Sequence, residues 1–417
     1  MPTTAKVEAS RTQQEVERIA ALPGVRRALS WFASHEPDLR RWQMELARIP
    51  APPFAEAARA EWLRARFADL GLEDVRIDSV GNVLGVCRGA EPGAQPGGKF
   101  VAITAHIDTV FPAGTPLDIR EEGGKLSGPG VSDNASGVTA LLALAAALGE
   151  SSLHSAADVV FIGNVGEEGE GDLRGMRHIF SDPQWKDAIA HTIVVDGSGS
   201  DTIVTQALGS RRFEVTVRGP GGHSWSDFGA PNPIVILSRA IASFSRAKLP
   251  AEPRTSASVG VIQGGTSVNT IPESASARVD IRSTSAEEME RLERALRQAV
   301  EEAVAEDAAS QRRNAKLRAS FEIASIGSRP AAELREGARI LEVVRAVDAH
   351  LGNASRLHRA STDANVPLSL GLEAVSLGAG GAGGGAHTLH EWYDPGGRAL
   401  ALQRILLTAL TLAGVRE

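Results

Sequence analysis

Carboxylate and imidazole side chains follow three apolar runs of this chain, in each case where the run ends. The runs are continuously apolar, which is typical of strands buried on both faces of a parallel sheet. The side chains that follow them are His106 and Asp108 after residues 100–105, Glu167 and Glu168 after residues 159–162, and Asp196 after residues 192–195. Open α/β sheets bind ligands at this edge. Imidazole nitrogens and carboxylate oxygens are also ligands that zinc accepts.

Two further segments offer ligands of the same types. Asp133 and Asn134 directly precede a predicted helix over residues 136–148, and His387 and His390 follow a glycine-rich loop at 378–385. Taken singly, each candidate has an ordinary structural interpretation: a histidine that caps the sheet, an aspartate that caps a helix, or a solvated turn of glutamates. Together they are enough for two divalent ions that share one carboxylate, since a cation relieves the repulsion between adjacent carboxylates.

The elements that position these residues divide the chain into two predicted domains, as expected for 417 residues. Strands alternate with helices up to residue 208 and helices resume after residue 323, which predicts a layered α/β domain over 1–208 and 324–417. Residues 209–323 differ, because polar and apolar residues alternate along the strand over 212–218. The predicted order there is β-α-β-β-α-β, so we expect an inserted domain of the ferredoxin-like arrangement.

Composition narrows the classes of partner and site. The formal charge is −7, from 44 Lys and Arg against 51 Asp and Glu, without long like-charge runs, which argues against a nucleic acid or an anionic membrane as partner. Cys87 is the single cysteine, so an intrachain disulfide and a thiolate zinc site are excluded. No run reaches the roughly 20 apolar residues of a membrane span, and the N-terminus lacks a signal-peptide core. A cytoplasmic protein is therefore expected.

Six short segments occur in this order along the chain: His106-Ile107-Asp108-Thr109-Val110, Gly128-Pro129-Gly130-Val131-Ser132-Asp133-Asn134, Glu167-Glu168-Gly169, Gly221-Gly222-His223-Ser224, Asn269-Thr270-Ile271-Pro272 and His387 to Glu391. Together they resemble the segments typical of the M20 di-zinc peptidases, which include carboxypeptidase G, peptidase T, aminoacylase, acetylornithine deacetylase and succinyl-diaminopimelate desuccinylase. The resemblance extends from about Arg40 to the end of the chain. It implies a zinc-peptidase-like, three-layer α/β/α catalytic domain with an inserted dimerisation domain.

The resemblance implies two zinc ions per subunit, with manganese or cobalt able to occupy the same ligands. One ion would be held by His106 and Asp196 and the other by Glu168 and His387, with Asp133 bridging both. The ligand would be His387 rather than the second histidine of its segment, because the family has a glutamate four residues after the ligand. The peptide bond after Asp133 would be cis.

Roles in catalysis and substrate binding follow from the same resemblance. Glu167 would be the general base, and Asp108 would support the neighbouring histidine ligand. His223 would reach the active site of a partner subunit in a homodimer and polarise the scissile carbonyl. Asn269 and Arg282 would hold a substrate carboxylate in a pocket lined by the glycine-rich loop, since the guanidinium fork of arginine meets a carboxylate bidentately. From the residues alone, Arg282 is an exposed strand charge, and only the resemblance gives it a role in binding.

The expected activity is hydrolysis of short peptides, such as di- and tripeptides, next to a terminal residue with a free carboxylate. The alternative within the family is an N-acyl amino acid deacylase. A metal-free binding homologue is the alternative of another class, against which the complete ligand set argues. A redox or nucleotide-binding α/β protein would need a phosphate-cradling glycine motif after its first strand, whereas Gly128-Pro129-Gly130 precedes a carboxylate.

Overall fold

The structure, a computed structural model, describes residues 3–90, 100–151, 153–310 and 317–416. The chain forms two compact units. The first unit comprises Met1–Ala207 and Glu333–Glu417, and the second comprises Leu208–Ala332. The second unit therefore begins one residue before the predicted insert and continues beyond the predicted end at residue 323.

Helices occupy both units. They are α1 (Thr3–Ala21), α2 (Pro23–Ser34), α3 (Glu36–Ala47), α4 (Ala57–Asp69), α5 (Ala135–Ser151), α6 (Arg174–Ser181), α7 (Pro183–Lys186), α8 (Pro233–Phe244), α9 (Ala286–Ser310), α10 (Arg339–Leu351), α11 (Asn365–Ser369) and α12 (Arg398–Ala413). Within the described ranges, none of these helices combines the length with the apolar character that a bilayer span requires.

The strands are named in chain order. They are β1 (Glu73–Ile77), β2 (Val83–Cys87), β3 (Phe100–His106), β4 (Arg120–Glu122), β5 (Lys125–Ser127), β6 (Val159–Asn164), β7 (Ile189–Val195), β8 (Thr202–Ala207), β9 (Gly209–Arg218), β10 (Gly222–His223), β11 (Thr255–Gly264), β12 (Thr270–Ile271), β13 (Ser274–Ser283), β14 (Ser320–Arg329), β15 (Ala332–Glu333), β16 (Arg356–Ala360), β17 (Glu373–Leu377), β18 (Ala382–Gly384) and β19 (Trp392–Asp394).

A mixed sheet forms the centre of the first unit. Its strand order is β1-β2-β6-β3-β7-β17-β8-β15, and β16 pairs with β8. The middle strand β3 lies parallel to both β6 and β7. The chain leaves β3 for β6 on one side and then for β7 on the other, so the carboxyl ends of these strands flank a topological switch point. The predicted buried strands are all found here.

Helix α5 begins immediately after Asp133-Asn134 and is buried from Ala135 to Leu148. It consists almost entirely of alanine, leucine and other small or apolar residues, as expected for a helix covered on all sides. It contacts β3, β6 and β7 on one side and helices α2 and α3 on the other. The Asn134 side chain donates to Val195 O (2.9 Å) and accepts from Gly137 N (3.1 Å). The start of this helix is thereby fixed to the end of β7.

The second unit contains an antiparallel sheet with strand order β11-β13-β9-β14. Its long elements follow the chain order β-α-β-β-α-β that the sequence predicts. Alternate residues of β9 and β13 pack with helices α8 and α9 in one apolar core. Strand β14 runs on to Arg329, because it pairs with β9 along its whole length up to Ser210. This pairing accounts for the later end of the unit.

A buried ion pair joins α10 to α12. Arg404 is fully buried, its Nε lies 2.6 Å from Asp348 Oδ1, and its Nη2 lies 2.9 Å from Asp348 Oδ2. Substitution Asp348→Ala leaves the guanidinium charge buried and unpaired, so we expect it to lower the free energy of unfolding of the first unit by about 3–5 kcal/mol. Chemical denaturation followed by tryptophan fluorescence would measure this loss.

Asp201→Ala is the matched control, because Asp201 pairs with Arg356 at the surface, where both side chains are more than half exposed. Its expected cost is below about 1 kcal/mol. Equal losses in the two variants would contradict a special contribution from the buried pair.

Candidate metal centre

The ends of the three central strands bring together the side chains that the sequence singled out. His106 is the last residue of β3, Asp196 directly follows β7, and Glu167 and Glu168 lie in the turn after β6. Asp133 joins them from the loop that leads into α5, and its peptide bond to the next residue is cis. These side chains are therefore carried by loops at one edge of the sheet and by the start of the buried helix.

Two groups of side chains meet at Asp133. His106 Nε2 lies 3.1 Å from Asp133 Oδ1 and 3.8 Å from Asp196 Oδ1. His387 Nε2 lies 3.2 Å from Asp133 Oδ2 and 3.1 Å from Glu168 Oε1. The two oxygens of the Asp133 carboxylate thus face different histidines.

These distances suit metal ligands. Among the described residues, three groups each present ligand atoms within 4.8 Å of one another: His106 with Asp133 and Asp196, Asp133 with Glu168 and His387, and His106 with Glu167 and Glu168. The donor atoms are imidazole nitrogens and carboxylate oxygens, which suit zinc and also manganese or cobalt. The residues therefore fit a pair of divalent ions that share Asp133.

The histidines and carboxylates of the centre shift one another's pKa values. Burial disfavours the charged form of His106, but hydrogen bonds with three surrounding carboxylates outweigh it and raise its pKa well above the usual value. Burial likewise opposes ionisation of Asp133, yet hydrogen bonds with His106 and His387 lower its pKa. Hydrogen bonds with Asp133 and Glu168 raise the pKa of His387 to about 10. Without a cation, protons on the two imidazoles offset part of the negative charge of the carboxylates.

Asp108 is buried and holds two segments of the centre. Its carboxylate accepts backbone N–H bonds from Glu167 (3.0 Å) and Glu168 (2.8 Å). His106 Nδ1 lies 3.1 Å from the Asp108 main-chain oxygen and 3.6 Å from carboxylate Oδ1. Burial raises the pKa of Asp108, but the contacts with His106 and the two N–H groups outweigh it and lower the pKa. Asp108 therefore orients the glutamate turn as well as the histidine.

His387 lies in a connection between two strands of a small sheet, whose strand order is β18-β19-β5-β4. It lies in the segment between β18 and β19, with a left-handed φ of 66°. His390 lies in the same segment, is exposed, and belongs to none of the three groups. The glycine-rich loop passes close to its neighbours, as expected: a Cβ at Gly378 would lie 2.4 Å from Gly199 O, and one at Gly383 would lie 2.5 Å from Ser132 Oγ.

Two buried carboxyl groups near the centre, Asp363 and Glu391, have no role predicted from the sequence. Asp363, from the loop before α11, accepts from Asn164 Nδ2 at 2.6 Å, and burial raises its pKa to about 7. Burial also raises the pKa of Glu391 to about 7, although three backbone N–H donors oppose this shift. The position of Glu391 four residues after His387 was the available signal, whereas Asp363 lies in a polar stretch without a distinctive pattern.

His223 and Asn269 lie side by side in the second unit. Strand β10 pairs with β12, which places His223 opposite Thr270, and Ser224 N donates to Asn269 O (3.0 Å). Arg282 lies near the far end of β13, eight residues from Ser274, or about 27 Å at the rise of an extended strand. Its Nε donates to Asp280 Oδ2 (2.7 Å). The structure places the backbones of His223 and Asn269 on neighbouring rungs of this strand pair and leaves Arg282 at the far end of β13.

Comparisons with known proteins agree with this architecture. The chain is 26% identical to the uncharacterized protein YqjE of Bacillus subtilis over 347 residues, which cover 81% of this chain and 88% of that protein. The crystal structure of aminopeptidase PepT from Bacillus cereus is similar with a TM-score of 0.72 at 22% identity, covering 91% of this chain and 99% of that chain.

A second crystal structure, that of the Bacillus subtilis YXEP protein, described as a dinuclear metal binding peptidase from the M20 family, has a TM-score of 0.67 at 17% identity. It covers 91% of this chain and 99% of that chain. A sequence model of Peptidase family M20/M25/M40 matches residues 102–410. This match spans most of the chain and all the candidate ligands, so the protein belongs to Peptidase family M20/M25/M40 and is a hydrolase.

Proposed function

We propose that the protein is a di-zinc hydrolase that cleaves the amide bond of short peptides beside a terminal residue with a free carboxylate. The observation that carries the proposal is the Asp133 carboxylate, whose two oxygens face His106 and His387 separately. His106 and Asp196 would complete the site of one ion, and Glu168 and His387 the site of the other. Zinc in these sites would polarise the scissile carbonyl and lower the pKa of a nearby water.

Glu167 is the group proposed to move the proton. It is buried, forms a group with His106 and Glu168, and its backbone N–H is held by Asp108. A carboxylate so placed can accept the proton of the attacking water and then deliver it to the leaving amine. Glu167 belongs to neither of the two groups that share Asp133, which favours a role as base over a role as ligand of the shared pair.

His223 is proposed to polarise the scissile carbonyl in the active site of a partner subunit. Its ring Nδ1 accepts the backbone N–H of Trp225 at 3.2 Å, and the side chain is exposed. With Nδ1 occupied as an acceptor, the neutral ring carries its proton on Nε2. An exposed N–H donor of fixed direction suits a carbonyl oxygen that gains negative charge in the transition state.

Asn269 and Arg282 are proposed to bind the substrate carboxylate. Along one subunit, the eight extended residue steps from Ser274 to Arg282 separate Arg282 from the end of β13 that follows Asn269, a span of about 27 Å that one carboxylate cannot bridge. Shared binding then requires that the two side chains come from different subunits of a homodimer. The action of His223 in the partner's active site and the binding of the substrate carboxylate by both Asn269 and Arg282 thus depend on the same homodimer.

Mixed dimers test this arrangement. His223→Ala and Glu167→Gln subunits, each inactive alone, should regain about a quarter of wild-type activity after mixing, because half of the random dimers contain one intact site. Analytical ultracentrifugation of tagged subunits would verify that mixed dimers form. Verified mixed dimers without activity would rule out a contribution of His223 in trans.

Substrate class is tested by comparing release from dipeptides, tripeptides and N-acetyl amino acids. Cleavage of the peptides supports the proposal. Cleavage of the N-acetyl amino acids alone would identify the enzyme as a deacylase of the same family and overturn the peptidase assignment. Purified protein without metal and without activity toward either set would instead indicate a binding homologue.

Zinc uptake by metal-free protein should release protons at neutral pH. The pKa of His387 is about 10 in the absence of metal, so the ring carries a proton below that pH, and an entering cation must displace it. Apparent zinc affinity should therefore rise with pH up to about 10. Titration calorimetry in buffers of different ionisation enthalpy measures the released protons.

His390→Ala is the control for this measurement, because His390 lies outside the ligand groups. It should release as many protons as the wild-type protein, whereas His387→Ala should release fewer. Zinc uptake without proton release would contradict a ligand role for His387.

A further inference from the structure

Glu391 is fully buried and accepts three backbone N–H bonds from the loop that carries Asp133. Its Oε1 lies 2.7 Å from both Ser132 N and Asp133 N, and its Oε2 lies 2.9 Å from Gly130 N. A carboxylate that accepts several backbone N–H groups forms stronger hydrogen bonds than a neutral side chain. The course of this loop is thus set by a side chain more than 250 residues away in the sequence.

Glu391 also belongs to the segment that carries His387. It lies four residues after this histidine, and its main-chain oxygen accepts from Gly128 N at 2.8 Å. The residue therefore connects, through its backbone and its side chain, the segments of Asp133 and His387. These two side chains form one ligand group with Glu168.

The arrangement parallels that of Asp108, which accepts the backbone N–H groups of the glutamate turn. Arg59 lies near both carboxylates: it is buried, its Nη1 donates to Ile107 O (3.0 Å), and burial lowers its pKa to about 10 against the charges of Asp108 and Glu391. Two buried carboxylates with one buried guanidinium thus hold the loops from which the candidate ligands project.

We propose that Glu391 is a positioning residue, which fixes the separation of Asp133 and His387 and thereby the affinity of the ion that these two share with Glu168. The inference rests on the binuclear centre proposed above. Groups that orient metal ligands from outside typically contribute about 10–100-fold to metal affinity. Glu391 accepts the backbone N–H of Asp133 and is joined to His387 by three intervening residues of the chain. Its contribution to metal affinity is therefore expected in this range.

The test variant is Glu391→Gln, which keeps the shape but turns one acceptor into an N–H donor that faces another donor. Metal-free protein would be titrated with Zn²⁺ in competition with a chromophoric chelator. One of the two zinc-binding steps should weaken by about 10–100-fold while the other is unchanged, since the proposal concerns only the ion of the Asp133, Glu168 and His387 group. The visible absorption bands of Co²⁺-loaded protein should shift, since they report ligand geometry.

A second measurement needs no metal. Backbone amides of residues 130–133 should exchange hydrogen for deuterium faster in metal-free Glu391→Gln than in metal-free wild type, because an acceptor of these N–H groups is lost. If the glutamine variant does not fold, Glu391→Asp replaces it, which keeps the charge but shortens the side chain by one methylene. Faster exchange and weaker zinc binding in that variant support the same conclusion.

Glu373→Gln is the matched control. Glu373 is also a buried carboxylate of the first unit that accepts backbone N–H bonds, from Arg339 (3.3 Å) and Ile340 (3.0 Å), and it is absent from the three ligand groups. Its substitution should lower stability without changing zinc affinity or the Co²⁺ spectrum.

Wild-type zinc affinity and wild-type amide exchange in Glu391→Gln would overturn the positioning role. A wild-type protein that binds fewer than two ions would overturn the proposed function, while amide exchange still decides whether Glu391 holds the Asp133 loop.

Discussion

Substitution Glu167→Gln is expected to reduce kcat by about 10²–10⁴-fold while the protein keeps its full metal content. The amide has the shape of the carboxylate but cannot accept the proton of water. The backbone N–H of residue 167 donates to Asp108 in either case, so the turn should keep its place. Steady-state kinetics and elemental analysis on the same preparation measure the two quantities.

Glu170→Gln provides the control for this substitution, since Glu170 is exposed in the same turn. It should keep both activity and metal. A Glu167→Gln enzyme with a near-normal rate would remove Glu167 as the general base. A loss of metal together with activity would instead assign Glu167 to metal binding, as its group with His106 and Glu168 also permits.

Substitution Asp133→Ala is expected to remove both ions and to reduce activity to background. Asp133 belongs to two ligand groups, one with His106 and Asp196 and one with Glu168 and His387. Its loss leaves each ion with two protein ligands and also leaves His106, which is buried, and His387, which is exposed, without their shared carboxylate. Metal content after dialysis against a low concentration of zinc gives the stoichiometry.

His387→Ala is the informative comparison, because His387 belongs to one group only. It should lose one ion and retain the other. If Asp133→Ala and His387→Ala both retained one ion, Asp133 would serve a single site and the bridging assignment would be wrong. An exposed acidic residue before the same loop, Asp118, should be replaceable by asparagine without loss of metal.

The residues at the strand ends could be predicted from sequence because the physical rule behind them is local. A continuously apolar run marks a buried strand, and the polar residue that ends it must lie at the edge of the sheet. The predicted positions of His106, Glu168 and Asp196 follow from this rule, and the structure places all three at such ends. The assignment of particular ions to them came from family resemblance and remains a proposal.

Other features depended on contacts that no local pattern records. Strand β16 is mostly exposed and basic, so it lacks an apolar signal and forms by pairing with β8. The short strands β5 and β19 pair across more than 260 residues, as in Trp392 opposite Ser127. The hydrogen bonds of Glu391 to the loop at 130–133 are also long-range. The sequence therefore shows the spacing of Glu391 from His387 but not the loop that Glu391 contacts.

The order of the candidate ligands along the chain has a consequence for biosynthesis. Four of them precede the second unit in sequence, whereas His387 follows it, as does strand β17, which lies between β7 and β8 in the central sheet. A nascent polypeptide leaves the ribosome from its N-terminus, so the second unit can fold while the sheet of the first still lacks an inner strand. Binding of the proposed metal ions can then be complete only after His387 has been synthesised, and messages truncated between the codons for Glu333 and His387 should yield metal-poor, aggregation-prone chains.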